Sequence, residues 1–83
     1  MKIATAALRY NTNQMQCGRR HEDLYELLYH IYGQLPNNIE EGFVTDGGEF
    51  VDRYKAKEIA VAANQLIVPV EETEDELYSE DVW

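Results

Sequence analysis

The chain has 83 residues and a formal net charge of -9, with sixteen acidic and seven basic side chains. Its length allows one small domain that buries roughly 60% of its unfolded surface, so self-association is a natural source of extra stability. The acidic balance argues against non-specific DNA or RNA binding, which scales with basic contacts. One cysteine, Cys17, rules out an internal disulfide and fits a reducing compartment.

The first element expected is a strand over Lys2 to Tyr10, with Ala4, Ala6, Leu8 and Tyr10 on one face. Asn11-Thr12-Asn13 is a turn cluster, and Gln14 to Cys17 alternates as a second strand, so the start of the chain reads as a hairpin. The N-terminal apolar run breaks at Arg9, which leaves neither a secretory signal nor a membrane span in view.

Gly18-Arg19-Arg20-His21 follows, immediately ahead of an amphipathic helix over Glu22 to Gln34. Leu24, Leu27, Leu28 and Ile31 carry its 3.6-residue period, beside a stripe of Tyr25, Tyr29 and Tyr32 that suits a core edge or a subunit interface. Gly33 and Pro36 stop it. A helix start presents unpaired N–H groups and partial positive charge, so adjacent arginines make an anion site there. The plainer alternative pairs the same arginines with Glu22, Asp23 or Glu26.

Gly42 to Thr45 and Glu49 to Val51 flank Asp46-Gly47-Gly48, an Asp-Gly hairpin signal. A two-residue turn at Asp46-Gly47 sets Thr45 opposite Gly48 and Phe43 opposite Phe50. Asp52 stands at an N-cap position, and a second helix runs from Arg53 to Gln65, burying Ala56, Ile59, Ala60 and Ala63. Leu66 to Val70 is an apolar exit, and Glu71 to Glu76 a charged linker. The chain closes on Leu77-Tyr78-Ser79-Glu80-Asp81-Val82-Trp83. Seven of the acids and no base lie from Glu71 onward, so the body of the chain is nearly neutral. The expected fold class is α+β: a small antiparallel sheet of two hairpins packed with two helices, over residues 1–70, with an acidic, aromatic-ended tail over 71–83.

No catalytic constellation stands out. The one serine, Ser79, is not in a nucleophile elbow, no glycine-rich phosphate loop occurs, and His21 has no evident orienting carboxylate. Neither His21 nor His30 has metal-ligand spacing with Cys17, and no cofactor is expected. Binding is the better argument. Arg19, Arg20 and Arg53 each lie at or beside a helix start, Phe43 or Phe50 offers a ring for a purine, and Asp52 serves as a cap or accepts from an amine or ribose hydroxyl. Phe43 is expected to be a stacking platform rather than core.

The ordered set Gly-Arg-Arg-His, Gly42-Phe43-Val44-Thr45, Gly48-Glu49-Phe50-Val51-Asp52-Arg53, Asn64-Gln65 and the closing Leu77 to Trp83 resembles a family of small phage and prophage proteins. That family contains the first described Thoeris anti-defence protein. The resemblance covers nearly the whole chain. It implies a sponge in the host cytoplasm that sequesters cyclic ADP-ribose isomers such as gcADPR, or cyclic oligonucleotides, without cleaving them. It further implies a homo-oligomer, dimer or hexamer, with no DNA, RNA or membrane partner. By the resemblance, Arg19, Arg20 and His21 contact phosphate or ribose, and Phe43 stacks on adenine. Asp52 and Arg53 contact base or phosphate, and Thr45, which closes the Gly42-Phe43-Val44-Thr45 block, is counted with the ligand-binding residues. The tail docks on a neighbour or covers the ligand. Asp52 departs from members that carry an amide there. Two other readings are a small enzyme acting on ADP-ribose or nucleotide phosphodiesters through His21, and an acidic inhibitor of a host protein.

Overall fold

A computed structural model describes residues 1–11 and 13–83; Thr12, in the expected turn cluster, lies outside the described residues. The elements are β1 (Ile3–Tyr10), β2 (Gln14–Gly18), α1 (His21–Tyr32), β3 (Glu40–Thr45), β4 (Phe50–Asp52) and α2 (Arg53–Ala62). The strands form one antiparallel sheet in the order β2-β1-β3-β4. This is the expected α+β architecture. A single core joins Ala6, Leu8, Tyr10 and Phe43 of the sheet to Leu24 and Leu28 of α1 and Ala56, Ile59 and Ala60 of α2.

β1 departs from its expected alternation at its start. The pairing with β3 shifts between Ile3 and Thr5. The irregularity turns Ile3 into the core and leaves Ala4 exposed, because an extra residue reverses which face a side chain takes. Gln65 holds the irregular segment: its Oε1 accepts from Ile3 N at 2.7 Å and its Nε2 donates to Ile3 O at 2.9 Å. Gln65 is available because α2 ends earlier than its periodicity suggests. Asn64 takes φ 56°, Gln65 N donates to Ala60 O, and Asn64 N donates to Val61 O. These bonds form a Schellman close.

The Asp46-Gly47-Gly48 turn corrects a register. Thr45 N donates to Glu49 O and Gly48 N to Thr45 O, each at 2.9 Å, so the loop has three residues, not two. Gly48 sits at φ 86°, the left-handed residue that a type I turn with a bulge needs. Phe43 therefore pairs with Val51 and Val44 with Phe50. The two phenylalanines fall on opposite faces of the sheet. Phe43 enters the core at 0% exposure, while Phe50 lies on the outer face beneath the Arg9 guanidinium, 4.2 Å from its centroid.

The segment after α2 folds back onto the core. Two short 3-10 turns, Val70–Glu72 and Ser79–Asp81, shape it. Leu77 is fully buried and Val82 nearly so, both in the same cluster as the sheet and helices. Backbone bonds from Leu77 N to Arg53 O at 3.0 Å and Ile67 N to Asp81 O at 2.9 Å fix the path. Leu77 and Val82 complete the core from this segment, while Ile67 and Val70 stay exposed and most of its acidic residues face outward.

Gly42 is a test of the sheet geometry. A Cβ there would lie 2.4 Å from Val51 O and 2.5 Å from Phe50 Cζ. The backbone atom cannot yield without disturbing β4. Gly42→Ala is expected to cost about 1–3 kcal/mol, read from denaturant unfolding, whereas unchanged stability would show that β4 does not pack as described.

Candidate functional site

The starts of the two helices and the end of the chain meet around β3. Arg20 is the N-cap of α1 in extended conformation, and the cap makes no side-chain hydrogen bond to the helix. Its Nη2 instead donates to the Trp83 carbonyl oxygen. Arg19 is exposed and has no hydrogen-bond or ion-pair partner among the described residues. α2 starts differently. Asp52 accepts from Lys55 N at 2.8 Å, so this helix start is closed by its own side chain, and Asp52 is a cap.

Arg53, the first residue of α2, turns back over β3. Its Nη2 pairs with Glu41 and its Nη1 reaches Glu76 of the C-terminal segment at 3.4 Å. Its guanidinium carbon stands 4.9 Å from the centroid of the Tyr78 ring. Tyr25 of α1 donates its hydroxyl to the other Glu41 oxygen at 2.7 Å. A chain of polar contacts thus runs from α1 through β3 and α2 to the C-terminal segment. Arg53 Nε is buried and has no partner among the described residues. The guanidinium expected to meet a phosphate is held by two carboxylates instead.

His21 is 7% exposed and its Nε2 lies 2.8 Å from Gly42 O. A carbonyl oxygen only accepts, so Nε2 carries the proton. Burial is the main cause that lowers the pKa of His21. The nearby Arg53 charge lowers it further, while the Gly42 bond, Glu80 and Glu22 oppose these effects. The ring meets Phe43 edge-on at 5.0 Å and 85°. Behind it lies a cleft of about 220 Å³ whose walls include His21, Tyr25, Glu41, Arg53, Tyr78 and Ser79.

The expected stacking platform is corrected. Phe43 has no exposed face: His21 takes one side, and the Trp83 ring lies against it at 6.2 Å. The half-buried Trp83 is the aromatic beside the arginines. Thr45 is also buried, and its hydroxyl accepts from Gly47 N and Glu49 N in the turn, each at 3.3 Å. The structure therefore gathers Arg20, His21, Phe43 and Arg53, and sets Thr45 and Asp52 to structural tasks. Glu41, Tyr25, Glu76 and Tyr78 escaped the sequence reading. Their signal was faint: a carboxylate beside Gly42 in a strand, and an apolar return after the acidic linker. Among the described residues no acidic, histidine or cysteine group has the grouping of a metal site, and no helix is long and apolar enough to cross a membrane.

These features define a small α+β domain whose C-terminal segment closes over the paired helix starts. The chain belongs to the Phage T4 y16D protein family, whose profile matches residues 2–83. No curated protein and no solved structure matches it.

Two outcomes check this geometry. Phe43→Ala is expected to destabilise the fold by about 3–5 kcal/mol, seen as a large fall in unfolding midpoint. A small fall would mean that the ring is not packed between His21 and Trp83. The depressed His21 pKa gives a pH dependence with a definite sign. Below the ordinary value of 6.5 the unfolded chain takes a proton that the native ring refuses, so stability falls as pH drops through that range. Denaturant titrations on either side of that pH should show a smaller loss for His21→Gln than for the parent protein. Equal losses would refute the assignment.

Proposed function

We propose that this phage-family protein binds and sequesters a small nucleotide-type anion, of the cyclic ADP-ribose class, at the open start of α1 and does not cleave it. The observation that carries the reading is the contrast between the two helix starts. α2 is capped by Asp52 and its arginine is neutralised by Glu41 and Glu76. α1 has no side-chain cap, a free and exposed Arg19, and Arg20 beside a half-buried indole. The α1 start thus offers N–H groups, two guanidinium groups and a ring that suit phosphate and base together, with Glu22 and Asp23 in its first turn as the nearest opposing charges.

The resemblance to the Thoeris anti-defence family supplies the ligand class and the purpose, removal of a host immune signal during infection. Sequestration is favoured over turnover by His21. Its ring proton is committed to a backbone carbonyl and burial keeps it neutral, which suits a fixed wall better than a proton carrier.

Native mass spectrometry against cyclic ADP-ribose isomers and cyclic di- and trinucleotides tests the proposal. Denaturing the complex should return intact ligand; recovery of a product would mean an enzyme. Arg19→Ala, which removes no contact within the protein, and Arg20→Ala should each weaken binding about ten- to a hundredfold. Unchanged affinity in both variants would remove the α1 start as the site.

A further inference from the structure

The structure assigns the outer face of α2, with the returning chain beside it, as a docking groove for a basic, amphipathic segment of another protein. α2 buries Ala56, Ile59 and Ala60 against the rest of the fold. Its opposite face is also patterned: Tyr54, Lys57, Glu58, Val61 and Ala62 recur at the i, i+3, i+4, i+7 and i+8 spacing of one helical stripe. With Asp75 they line a hollow of about 610 Å³. A second hollow of about 320 Å³ shares Val61 and continues along Asn64, Leu66, Val68 and Val70. Tyr54, Val61, Ile67 and Val70 are each about half exposed or more, and none of them joins the core cluster.

The far wall of the groove is tied in place by the chain itself. Lys57 Nζ donates to Thr73 Oγ1 and to Glu74 O. The Tyr54 hydroxyl donates to Glu76 at 3.2 Å. The hollow is therefore formed before a partner arrives, which lowers what docking must order.

Charge selects the occupant. Glu58, Glu71, Glu72, Glu74, Asp75 and Glu76 stand on or beside the groove, against Lys55 and Lys57. Lys57 is committed to the wall, and Lys55 pairs with Glu58 at 3.5 Å. Glu76 first of all, and Asp75 and Asp52 after it, hold the Tyr54 hydroxyl above its ordinary pKa, so the negative field reaches the floor of the hollow. An apolar floor beside carboxylates fits a segment that carries lysine or arginine next to large aliphatic side chains. Tyr54 to Val61 spans roughly 10 Å at the rise of an α-helix, which matches about two turns of a partner helix. A second copy of this chain cannot supply such a segment. Arg9, Arg53 and Lys55 pair with carboxylates of their own chain, Lys57 holds the wall and Arg20 bonds Trp83. Lys2 and Arg19, the other bases, lie on separate segments.

Fluorescence anisotropy of the full chain with a labelled peptide of leucine and lysine at helical spacing (LKKLLKLLKKLLKL) tests the groove. The peptide should bind at tens of micromolar. Its counterpart with glutamate for lysine, and a lysine homopolymer of the same charge, should bind at least about tenfold more weakly. Val61→Gln with Val70→Gln should weaken peptide binding about tenfold by removing apolar floor, and Glu58→Lys with Asp75→Lys about as much by opposing its charge. Asp23→Lys with Glu26→Lys, on α1, changes the net charge equally and should have little effect. All six positions are exposed, and an unchanged circular-dichroism spectrum checks that each variant folds. Arg19→Ala should leave peptide binding unchanged, which separates this groove from the proposed anion site. Absence of peptide binding, equal binding by the lysine homopolymer, or equal losses from the two charge reversals would overturn the inference. So would self-association of the free chain that is lost in the Val61→Gln, Val70→Gln variant, because a second copy would then be the occupant.

Discussion

Arg53 is the contact on which the arrangement of the C-terminal segment depends. Its backbone carbonyl accepts from Leu77 N, and its guanidinium joins Glu41 of β3 to Glu76 of the returning segment, with Tyr78 beside it. The group is neither on the surface nor deep inside: its side chain is 21% exposed. A lone charge there would be costly, and two carboxylates with an aromatic face make it tolerable. The return of the chain then delivers Leu77 and Val82 to the core and brings Trp83 against Phe43. A small domain with limited apolar surface gains core residues from a segment whose composition is mostly acidic.

The secondary structure was largely legible because it follows local periodicity. The strand and helix order, the Asp52 cap and the Gly33 stop all come from residues within a turn of each other. The failures share one physical character. The Asp46-Gly47-Gly48 loop takes three residues because Gly48 can adopt a left-handed conformation, and that single residue moves Phe43 from facing Phe50 to facing Val51. The shift between Ile3 and Thr5 exchanges Ala4 for Ile3 in the core in the same way. In each case the hydrophobic pattern permitted two registers, and packing against distant side chains selected one.

The candidate site divides along the same line. The helix-start arginines were visible because a helix start is a local feature. The partners of Arg53 were not, since Glu41 and Glu76 are distant in sequence and the chain offers sixteen acids to choose from. Nor does composition reveal that Phe43 is covered, because the covering groups come from α1 and from the end of the chain. Residue type located the chemistry, and only tertiary contact decided which cations are spent on the fold and which stay open.

α1 connects the proposed binding site with the sheet. Its first turn holds His21 against Gly42 and Phe43, while Arg20 ahead of it reaches Trp83. Further along, its Leu24 packs over β2, while Leu27 and Ile31 stay exposed. A 12-residue helix is a stiff rod at this length, so a shift at one end is carried to the other. The packing of Leu24 and Leu28 against the sheet therefore fixes the attitude of the helix start as well. Ordering that start before a ligand arrives reduces what binding must later immobilise. On the proposed reading, an acidic chain with few free cations gains most from that arrangement, because it would hold its anion with two arginines and a set of backbone N–H groups whose direction the helix alone determines.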